Sequence, residues 1–428
     1  MQIERTAALH NLGCKVNSYE TEVMAQFLKN AGYRLVEFDD KADVYVINTC
    51  SVTNIADKKS RQMIRQAKRR NEKACVVACG CFVNTAAKDV LDELPIDILI
   101  GNNERSKLIP LLSEFFGDAE DSIEIATRQL SAVSDINKKG VGFEELTLSR
   151  NTGHTRAFIK VQDGCDQFCS YCIIPYARGR ARSRELEGVL AEVKGLAAAG
   201  YREIIINGIH LSSYGKDVGS SLIELVKAVN EVDGVDRIRL GSLEPGIVTE
   251  DFVRELAACE KICPHFHLSL QSGSDTVLKR MNRRYDTAEY LHNCDIIRSR
   301  FEHPAITTDV ITGFPGETPE EFAETFEFVK KVNFYELHVF PYSVREGTKA
   351  AGMPGQLTEA EKKKRANILI DLGAAMSEEF RKYYIGKEVE VLFEEKVDEE
   401  YVGYSREYVR YAYKSEENLI NKIKKIRV

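Results

Sequence analysis

The chain has 428 residues, 43% of them hydrophobic, and a formal net charge of −7, so it is long enough for two or three domains with separate cores. Because the net charge is negative, the protein as a whole does not attract a nucleic acid, and any such contact must come from local basic patches. No apolar run is long enough to span a membrane and the first residues, MQIERTAALHNLG, lack the order of a signal peptide, so we expect a cytoplasmic protein without a membrane partner.

The first segment, residues 1–120, alternates between predicted strands and helices. Strands are predicted at residues 6–12, 43–48, 74–78 and 96–100, and a helix at residues 18–31. This pattern predicts an open parallel α/β sheet. Cys14, Cys50 and Cys81 follow three of the strands. Because ligands bind at the carboxyl ends of parallel strands, we expect the three thiols to converge on one edge of the sheet.

Eleven cysteines in a chain without an export signal favour reduced thiolate ligands over a disulfide framework. Cys79, two residues before Cys81, is an alternative to it as a ligand. Buried cysteine is otherwise an ordinary core residue. We assign this structural role to Cys75, Cys79, Cys259, Cys263 and Cys294. The histidines beside strands, His10, His210, His267 and His338, lack metal-ligand spacing and are expected to be packed or hydrogen-bonded.

Residues 57–70, DKKSRQMIRQAKRR, predict a helix with seven positive charges and one negative charge. The positive residues are Lys58, Lys59, Arg61, Arg65, Lys68, Arg69 and Arg70. A solvated helix face is one explanation of this run. Its position directly after Cys50 also favours a surface that holds RNA phosphates beside the chemistry. Both interpretations stay open. The polar residues 118–154 that follow later are predicted to connect two domains.

From Thr155 onward a strand-helix pattern repeats six times. The predicted strands are residues 156–162, 203–207, 237–241, 265–270, 305–311 and 334–340. Six parallel strands joined by right-handed crossovers form an incomplete (β/α)6 barrel, here over residues 150–380. The active site of such a barrel is expected at the carboxyl ends of its strands.

The first barrel strand is followed by GCDQFCSYC, in which Cys165, Cys169 and Cys172 have the spacing C-x3-C-x2-C. Structural zinc and a fully ligated four-iron cluster each take four protein ligands, so three cysteines predict a cluster with one open iron. Half of a zinc ribbon is the alternative. The motif, with Tyr171 before its last cysteine, resembles that of the radical S-adenosylmethionine (SAM) superfamily. The resemblance implies a [4Fe-4S] cluster whose open iron binds SAM and cleaves it to a 5'-deoxyadenosyl radical.

Polar residues and glycines follow the later barrel strands. In the radical SAM superfamily, Asn207 and Gly208 would occupy the place that grips the amino group of SAM. A turn explains any one such residue, but the whole set at matching strand ends favours a SAM pocket. The set is Asn207, Gly208, Glu244, Gln271, Gly313 and Gly316. The run ARGRARSR, with Arg178, Arg180, Arg182 and Arg184, predicts either an anion contact or a charged edge. The sequence identifies no catalytic residue.

Residues 383–428 change to short alternating segments, which predict a small antiparallel β-barrel. The position of this segment and its GYS-x3-V spacing resemble the TRAM domain, an RNA-binding module. Tyr404, Arg406 and Tyr408 then offer stacking and phosphate contacts for single-stranded RNA. A barrel core built of tyrosines is the alternative.

The sequences GCKVNSYE, NTC and GCF, around Cys14, Cys50 and Cys81, resemble the N-terminal domain of the methylthiotransferases, a branch of radical SAM enzymes. The resemblance implies that these three cysteines hold a second [4Fe-4S] cluster. It also implies the use of two SAM molecules and transfer of a methylthio group to carbon 2 of an adenine in a tRNA anticodon stem-loop. The expected partners are a sulfur donor and an electron donor such as flavodoxin or ferredoxin.

Lys15-Val16-Asn17 is similar to the type that acts on threonylcarbamoyladenosine next to the anticodon. The alternatives in the same family act on isopentenyladenosine in tRNA or on an aspartate of a ribosomal protein. Outside it, a different radical SAM enzyme with an auxiliary cluster and a non-catalytic iron-sulfur protein that binds RNA also stay open.

Overall fold

The N-terminal domain is built on six parallel strands. The computed structural model describes residues 5–117, 129–138, 140–149 and 155–428. The strands are β1 (Thr6–Asn11), β2 (Arg34–Val36), β3 (Val44–Thr49), β4 (Cys75–Gly80), β5 (Ile98–Ile100) and β6 (Leu130–Ala132). Their order in the sheet is β2-β1-β3-β4-β5-β6. The helices are α1 (Lys15–Asn30), α2 (Asn54–Arg70), α3 (Cys81–Thr85), α4 (Lys88–Asp92) and α5 (Leu108–Gly117).

The sequence of the central strands explains their position. Every residue of β3 and β4 is buried, as expected for apolar runs covered by helices on both faces of a parallel sheet. The predicted open parallel α/β sheet is confirmed. The connection predicted at residues 118–154 falls partly outside the described residues, and its described part contributes more than a linker. It supplies strand β6, which pairs with β5, and two leucines, Leu146 and Leu148, which pack on Tyr19 of α1.

The central domain is an incomplete barrel of six parallel strands. Its strands are β7 (Ala157–Asp163), β9 (Glu203–Gly208), β10 (Arg237–Leu240), β11 (His265–His267), β12 (Ala305–Thr312) and β13 (Glu336–Pro341), and β8 (Arg182–Ser183) pairs antiparallel with β7. Isolated bridges, Ile238 to Ile262 and Leu243 to Leu268, join the half that ends at β10 to the half that starts at β11. The predicted (β/α)6 barrel is confirmed.

Helices surround the outer face of this barrel. They are α7 (Leu186–Ala198), α8 (Leu222–Asn230), α9 (Glu250–Ala257), α10 (Asp275–Arg280), α11 (Thr287–Arg300), α12 (Pro319–Val332) and α13 (Glu359–Lys382), whereas α6 (Ile174–Arg178) packs against α3 of the N-terminal domain. Alternate strand residues such as Ile204, Ile206 and Phe266 pack under them in the main core. Residues of opposite parity, such as Glu203 and His267, therefore face the inside of the barrel, which we call the lumen.

The N-terminal domain covers the open side of the lumen. Helix α1 packs against β7 and β9, the strands on one side of the gap in the barrel. The C-terminal domain is a four-stranded antiparallel sheet of β14 (Glu388–Val397), β15 (Glu400–Ser405), β16 (Arg410–Lys414) and β17 (Ile423–Arg427), in the order β16-β15-β14-β17. It curls into a half-barrel. Among the helices that the structure describes, none is long and apolar enough to cross a membrane.

A candidate site between two cysteine triplets

The first cysteine triplet lies in the loop between β7 and α6. Burial raises the pKa of the Cys165 and Cys172 thiols to about 12, and the charge of Cys169 acts on both in the same direction. The three thiols are therefore close enough for the charge on one to act on the others. A bound metal deprotonates coordinating thiols outright. This donor set fits an iron-sulfur cluster with three protein ligands.

The loop that carries the first triplet is held firmly. The amide of Cys165 donates to the Gly179 carbonyl at 3.0 Å, and Ser170 bonds the Met281 carbonyl through its amide at 3.0 Å. Gly164 has a φ of +69°, and a Cβ there would lie 1.9 Å from the Arg180 carbonyl oxygen. Only glycine permits this close approach, so the residue before Cys165 is fixed by the backbone path.

A cation that the sequence did not reveal lies beside this triplet. Arg283 Nη1 is 3.1 Å from Cys169 Sγ, and Arg283 Nη2 is 3.1 Å from Glu244 Oε1. Glu244 Oε2 also accepts a hydrogen bond from Gln167 at 2.7 Å and lies 2.8 Å from His210 Nε2. The guanidinium of Arg283 can therefore offset thiolate charge. Arg283 comes after helix α10 and not at the end of a strand, so the strand-end pattern in the sequence did not indicate it.

The residues predicted for the SAM pocket all lie at the carboxyl edge of the barrel. Gly208 approaches β7 so closely that a Cβ would be 2.9 Å from Gln162. Gln271 has a φ of 70° and joins β12 by bonds to Asp309 and Ile311. Asn207 is buried on the lumen side of β9. These positions leave backbone and polar groups beside the first triplet.

Two of the predicted glycines have a local role in the turn after β12. The amide of Gly313 donates to Glu317 at 3.0 Å, and a Cβ on Gly313 would lie 2.4 Å from the Lys362 side chain. The amide of Gly316 donates to the Gly355 carbonyl at 2.8 Å. Gly313 and Gly316 therefore shape the turn against α13, which agrees with the turn interpretation of these positions.

The second triplet converges at the carboxyl edge of the N-terminal sheet. Cys14 precedes α1, Cys50 follows β3, and Cys81 begins α3 after β4. Burial raises the pKa of Cys50 to about 11, and the charges of Cys81 and Cys14 act in the same direction. Burial also raises the pKa of Cys14, where the charge of Arg178 acts against it. The predicted meeting of three thiols on one sheet edge is thus observed.

Glycines make this convergence possible. A Cβ on Gly13 would lie 2.9 Å from Cys50 Sγ, and a Cβ on Gly80 would lie 2.4 Å from the Thr49 carbonyl oxygen. Both glycines have positive φ. The two GC dipeptides therefore follow from the close packing of the chain around the thiols.

Cys79 points away from the second triplet. It is fully buried in the core on one face of the sheet, where its Sγ lies 3.6 Å from the Ile47 carbonyl oxygen and 3.8 Å from Met24. This placement favours Cys81 over Cys79 as a ligand.

A buried ionic network separates the two triplets. Arg178 of the barrel binds both Glu20 of α1, at 2.9 and 3.0 Å, and Asp163 of β7, at 3.1 Å. Lys160 lies 2.7 Å from Glu20, and Arg105 lies 2.8 Å from it. Burial alone would raise the pKa of Glu20, but the charges of Arg105, Arg178 and Lys160 outweigh it and lower the pKa to about 2. The network is therefore ionised.

This network carries an excess of positive charge. Four cations, Arg105, Lys160, Arg178 and Arg182, meet two carboxylates, Glu20 and Asp163. The charge of Arg178 acts on Cys14 and on Cys81. Thiolates of the second triplet can thus offset the excess. Of the arginine run in the sequence, Arg180 is exposed, whereas Arg178, Arg182 and Arg184 are buried and paired within the protein.

The basic helix α2 divides into two groups of side chains. A groove of about 640 Å³ is lined by Lys58, Arg61, Arg65 and Arg69, with Glu93 as its acidic member. Arg61 also lines an adjoining cavity of about 490 Å³ that reaches Phe82 and Ile173, the neighbours of Cys81 and Cys172. The groove therefore leads from solvent towards both triplets.

The other basic side chains of α2 lie outside this groove. Lys68 pairs with Asp97 at 2.8 Å, and Arg70 pairs with Asp39 and lies over Phe38. Lys59 is exposed and does not line the groove. Of the seven predicted contacts, Lys68 and Arg70 are thus occupied by protein partners.

The C-terminal residues predicted to contact RNA have partners within the protein. Tyr404 and Tyr408 stack on each other at 4.7 Å, and Arg156 of the barrel lies over both rings at 4.9 Å. Arg406 donates to the carbonyls of Glu260 and Ile262 at 2.6 and 2.7 Å. These side chains hold the C-terminal domain to the base of the barrel because their apolar and donor groups are satisfied there. Their contact with RNA stays a prediction, and all three side chains remain partly exposed.

The lumen contains polar side chains that no sequence motif indicated. His267, Asp309 and His338, from the adjacent strands β11, β12 and β13, place one ligand atom each within 4.8 Å of one another. They come from three distant segments of sequence, so only the register of the strands brings them together. Lys15 enters the same lumen from α1, where its Nζ lies 5.6 Å from the centre of the Phe158 ring.

Comparison with known proteins agrees with this architecture. Residues 6–101 match the model described as "Uncharacterized protein family UPF0004", and residues 159–329 match the Radical SAM superfamily. The solved structure of the radical SAM methyltransferase TsrM from Kitasatospora setae is 16% identical, with a TM-score of 0.59 over 82% of this chain and 77% of that one. This likeness shows the fold.

Curated relatives extend over almost the whole chain. The threonylcarbamoyladenosine tRNA methylthiotransferase MtaB of Bacillus subtilis is 41% identical over 99% of this chain and 93% of the relative. The protein of the same name from Thermotoga maritima is 38% identical over 96% and 91%. The tRNA-2-methylthio-N(6)-dimethylallyladenosine synthase of Clostridium tetani is 35% identical over 91% and 85%. With its radical SAM barrel and its two cysteine triplets, this chain belongs to the methylthiotransferase family of radical SAM enzymes, which transfer sulfur-containing groups.

Proposed function

We propose that this chain is a tRNA methylthiotransferase that adds a methylthio group to carbon 2 of N6-threonylcarbamoyladenosine next to the anticodon, using two [4Fe-4S] clusters and two SAM molecules. The observation that carries the proposal is that two triplets of cysteines converge, one in the radical SAM barrel and one in the N-terminal domain that packs on it. The names of the B. subtilis and T. maritima relatives support the nucleoside.

The two triplets would hold the two clusters. Cys165, Cys169 and Cys172 would bind the cluster that faces SAM, and Cys14, Cys50 and Cys81 would bind the second. When bound, the clusters would supply the electron that cleaves SAM and the iron site at which the transferred sulfur is held. Each triplet leaves one iron without a protein ligand, as both tasks require.

The protein's own side chains position these groups. Arg283 offsets charge at Cys169 and fixes Glu244 at the carboxyl edge of the barrel. Asn207, Gly208, Gln271 and Glu244 surround the place proposed for SAM. The ionic network around Arg178 fixes the distance between the triplets because it is buried and joins both domains. Holding reactants in line is the main contribution that a protein makes to cofactor chemistry.

The RNA would bind along the α2 groove. Lys58, Arg61, Arg65 and Arg69 form one stripe on the helix, spaced three or four residues apart, and the adjoining cavity reaches the neighbours of both triplets. Phosphates held by such a stripe would direct the anticodon loop to the lumen. An exposed aromatic side chain there, Phe340, is available to stack on a base.

The remaining partners follow from the chemistry. SAM cleavage needs a single-electron donor, for which a flavodoxin or ferredoxin is suitable, and each turnover consumes a sulfur atom that a separate donor must replace. Both requirements are consistent with a cytoplasmic enzyme.

The family also contains enzymes named for dimethylallyladenosine, such as the C. tetani relative. That substituent is apolar, whereas the lumen here presents Lys15, His267, Asp309 and His338. The polar lumen favours the threonylcarbamoyl group.

Nucleoside analysis tests the proposal directly. Transfer RNA from a strain that lacks this gene should retain threonylcarbamoyladenosine without its methylthio derivative, and a plasmid copy should restore the derivative. Loss of the methylthio derivative of isopentenyladenosine instead would assign the other substrate. Unchanged nucleosides, together with an altered ribosomal protein, would overturn a role in tRNA.

A further inference from the structure

The charged side chains at the base of the barrel are arranged in ion pairs. Arg156 pairs with Glu394 at 2.5 Å, Arg237 with Glu390 at 3.0 Å, and Arg239 with Glu203 at 2.8 Å. Three arginines thus meet three carboxylates. The first two pairs join the barrel to the C-terminal sheet, and the third lies within the barrel wall at the amino end of the lumen.

Lys15 adds a positive charge above this closed base. It is the first residue of α1, and its side chain enters through the open side of the barrel to reach the Phe158 ring, 5.6 Å away. Its ammonium is near enough to His265 for its charge to act there. Within the part of the chain that the structure describes, Lys15 makes no ion pair, so the lumen contains a cation without an anionic partner among those residues.

The opposite wall of the lumen is polar as well. His267 Nε2 lies 3.4 Å from Asp309 Oδ2 without hydrogen-bond geometry, and is shielded from solvent. His267 Nδ1 is 3.0 Å from Thr307 Oγ1, and its ring stacks on His338 at 5.6 Å. A buried polar atom without a partner carries a cost that a polar ligand would remove.

The substituent on the proposed nucleoside matches this lumen. A threonylcarbamoyl group carries one carboxylate, one hydroxyl and a urea, whereas a dimethylallyl group has no polar atom. A carboxylate leaving water needs a charged donor. The Lys15 side chain is solvent-exposed in the free protein and is therefore open to receive the threonine carboxylate.

Resting on the proposed function, we propose that Lys15 is a specificity-determining residue whose ammonium binds the carboxylate of the threonylcarbamoyl group. His267, Asp309 and His338 face the hydroxyl and urea of the same group. Lys15 follows Cys14 directly, so the residue that recognises the modified adenine and a proposed ligand of the second cluster belong to the same turn of the chain.

The first experiment changes the substrate and leaves the protein intact. The reconstituted enzyme is given an anticodon stem-loop with threonylcarbamoyladenosine, and the same RNA with its threonine carboxylate converted to a methyl ester. We expect the ester to lower kcat/KM by roughly 10- to 100-fold, because a charge-assisted bond is removed. Fluorescence anisotropy should show weaker binding of the ester. Equal kcat/KM for acid and ester would overturn the inference.

The second experiment compares variants of one helix. Lys15→Met should lower kcat/KM for the acid to that of the ester and abolish the difference between them, while Lys15→Arg restores much of it. Lys29→Met, an exposed lysine at the other end of α1, is the matched control and should keep the wild-type preference. Iron content shows whether each variant keeps its clusters. If Lys15→Met keeps its iron and still prefers the acid, the inference is wrong.

The two proposals fail in different ways. If the RNA with the free carboxylate and the RNA with the methyl ester are methylthiolated at equal rates, the role of Lys15 is wrong and the proposed function is unaffected. No product from either RNA, together with product from a stem-loop with dimethylallyladenosine, removes the proposed function itself.

Discussion

Arg178 of the radical SAM barrel binds both carboxylate oxygens of Glu20 in the N-terminal domain, at 2.9 and 3.0 Å, and both side chains are fully buried. The pair is two-pronged, which fixes orientation as well as distance. Because Arg178 follows the first triplet by six residues and Glu20 follows Cys14 by six, this contact sets the geometry between the triplets.

Removal of the Glu20 charge should destabilise the protein strongly. Glu20→Gln leaves Arg105, Lys160 and Arg178 short of a buried counter-charge, for which we expect a loss of about 3–5 kcal/mol in the free energy of unfolding. Denaturant unfolding measures it. The control is Asp251→Asn, which removes an exposed ion pair with Arg254 and should change stability by less than about 1 kcal/mol. Equal effects of the two substitutions would show that the network contributes little.

The same pair predicts a pH dependence. The folded-state pKa of Glu20 is lowered from 4.5 to about 2, so its contribution is complete above pH 4.5 and is lost as the pH falls towards 2. The stability difference between wild type and Glu20→Gln should therefore shrink across this window. A difference that stays constant from pH 6 to pH 2 would contradict an ionised Glu20.

The two triplets should be separable by iron content. Anaerobically reconstituted wild type should contain about eight irons per chain, which corresponds to two four-iron clusters. Alanine at Cys165, Cys169 and Cys172 should leave about four irons and stop formation of 5'-deoxyadenosine. Alanine at Cys14, Cys50 and Cys81 should also leave about four irons, but 5'-deoxyadenosine should still form.

Cys79 provides the matched control for the cluster ligands. Cys79→Ala removes a thiol close in sequence to Cys81 but directed into the core, so full iron content is expected. If this variant loses four irons and Cys81→Ala does not, the ligand assignment is reversed.

The α2 groove should determine the salt dependence of RNA binding. Charge reversal of Arg61, Arg65 and Arg69 should weaken tRNA binding and flatten its log-log salt dependence, by roughly 0.7 to 0.9 for each phosphate that is no longer neutralised. Lys68→Glu, on the same helix but paired with Asp97, is the control for a residue with a protein partner and should leave the slope unchanged. An unchanged slope in the groove variant would show that the basic residues of α2 form a solvated helix face that does not bind RNA phosphates.

Arg406 and Arg410 should separate structure from RNA contact in the C-terminal domain. Arg406→Ala removes two hydrogen bonds to barrel carbonyls, so we expect a loss of roughly 1.5–3 kcal/mol in thermal or denaturant unfolding and little change in RNA affinity. Arg410→Ala, at an exposed position of β16, should leave stability unchanged. Weaker RNA binding by Arg406→Ala at full stability would show that this residue contacts RNA after all.

Motifs predicted the parts of the site that lie next to glycines and strand ends. Cys14, Cys50 and Cys81 could be placed on one edge because parallel strands end together and the glycines before two of them permit close approach. The barrel followed from six repeats of one pattern. These are properties of short segments, and a short segment carries its own signal in the sequence.

Contacts between domains could not be predicted in the same way. Arg178 and Glu20 are 158 residues apart, and neither has a partner nearby in sequence that would reveal the pair. The tyrosines of the C-terminal sheet give the same sequence pattern whether their rings stack on RNA bases or on Arg156, so the sequence cannot distinguish the two partners. His267 and His338 meet only because both of their strands pair with β12.

Helix α1 and the residue that caps it carry a proposed cluster ligand, a lumen cation and a domain anchor within seven residues, Cys14 to Glu20. A helix turns by about 100° and rises about 1.5 Å at each residue. A single insertion between Lys15 and Glu20 would therefore swing Lys15 out of the barrel or Glu20 away from Arg178, and it could not preserve both. This segment should tolerate no insertion or deletion, even at positions where one side chain can be exchanged for another.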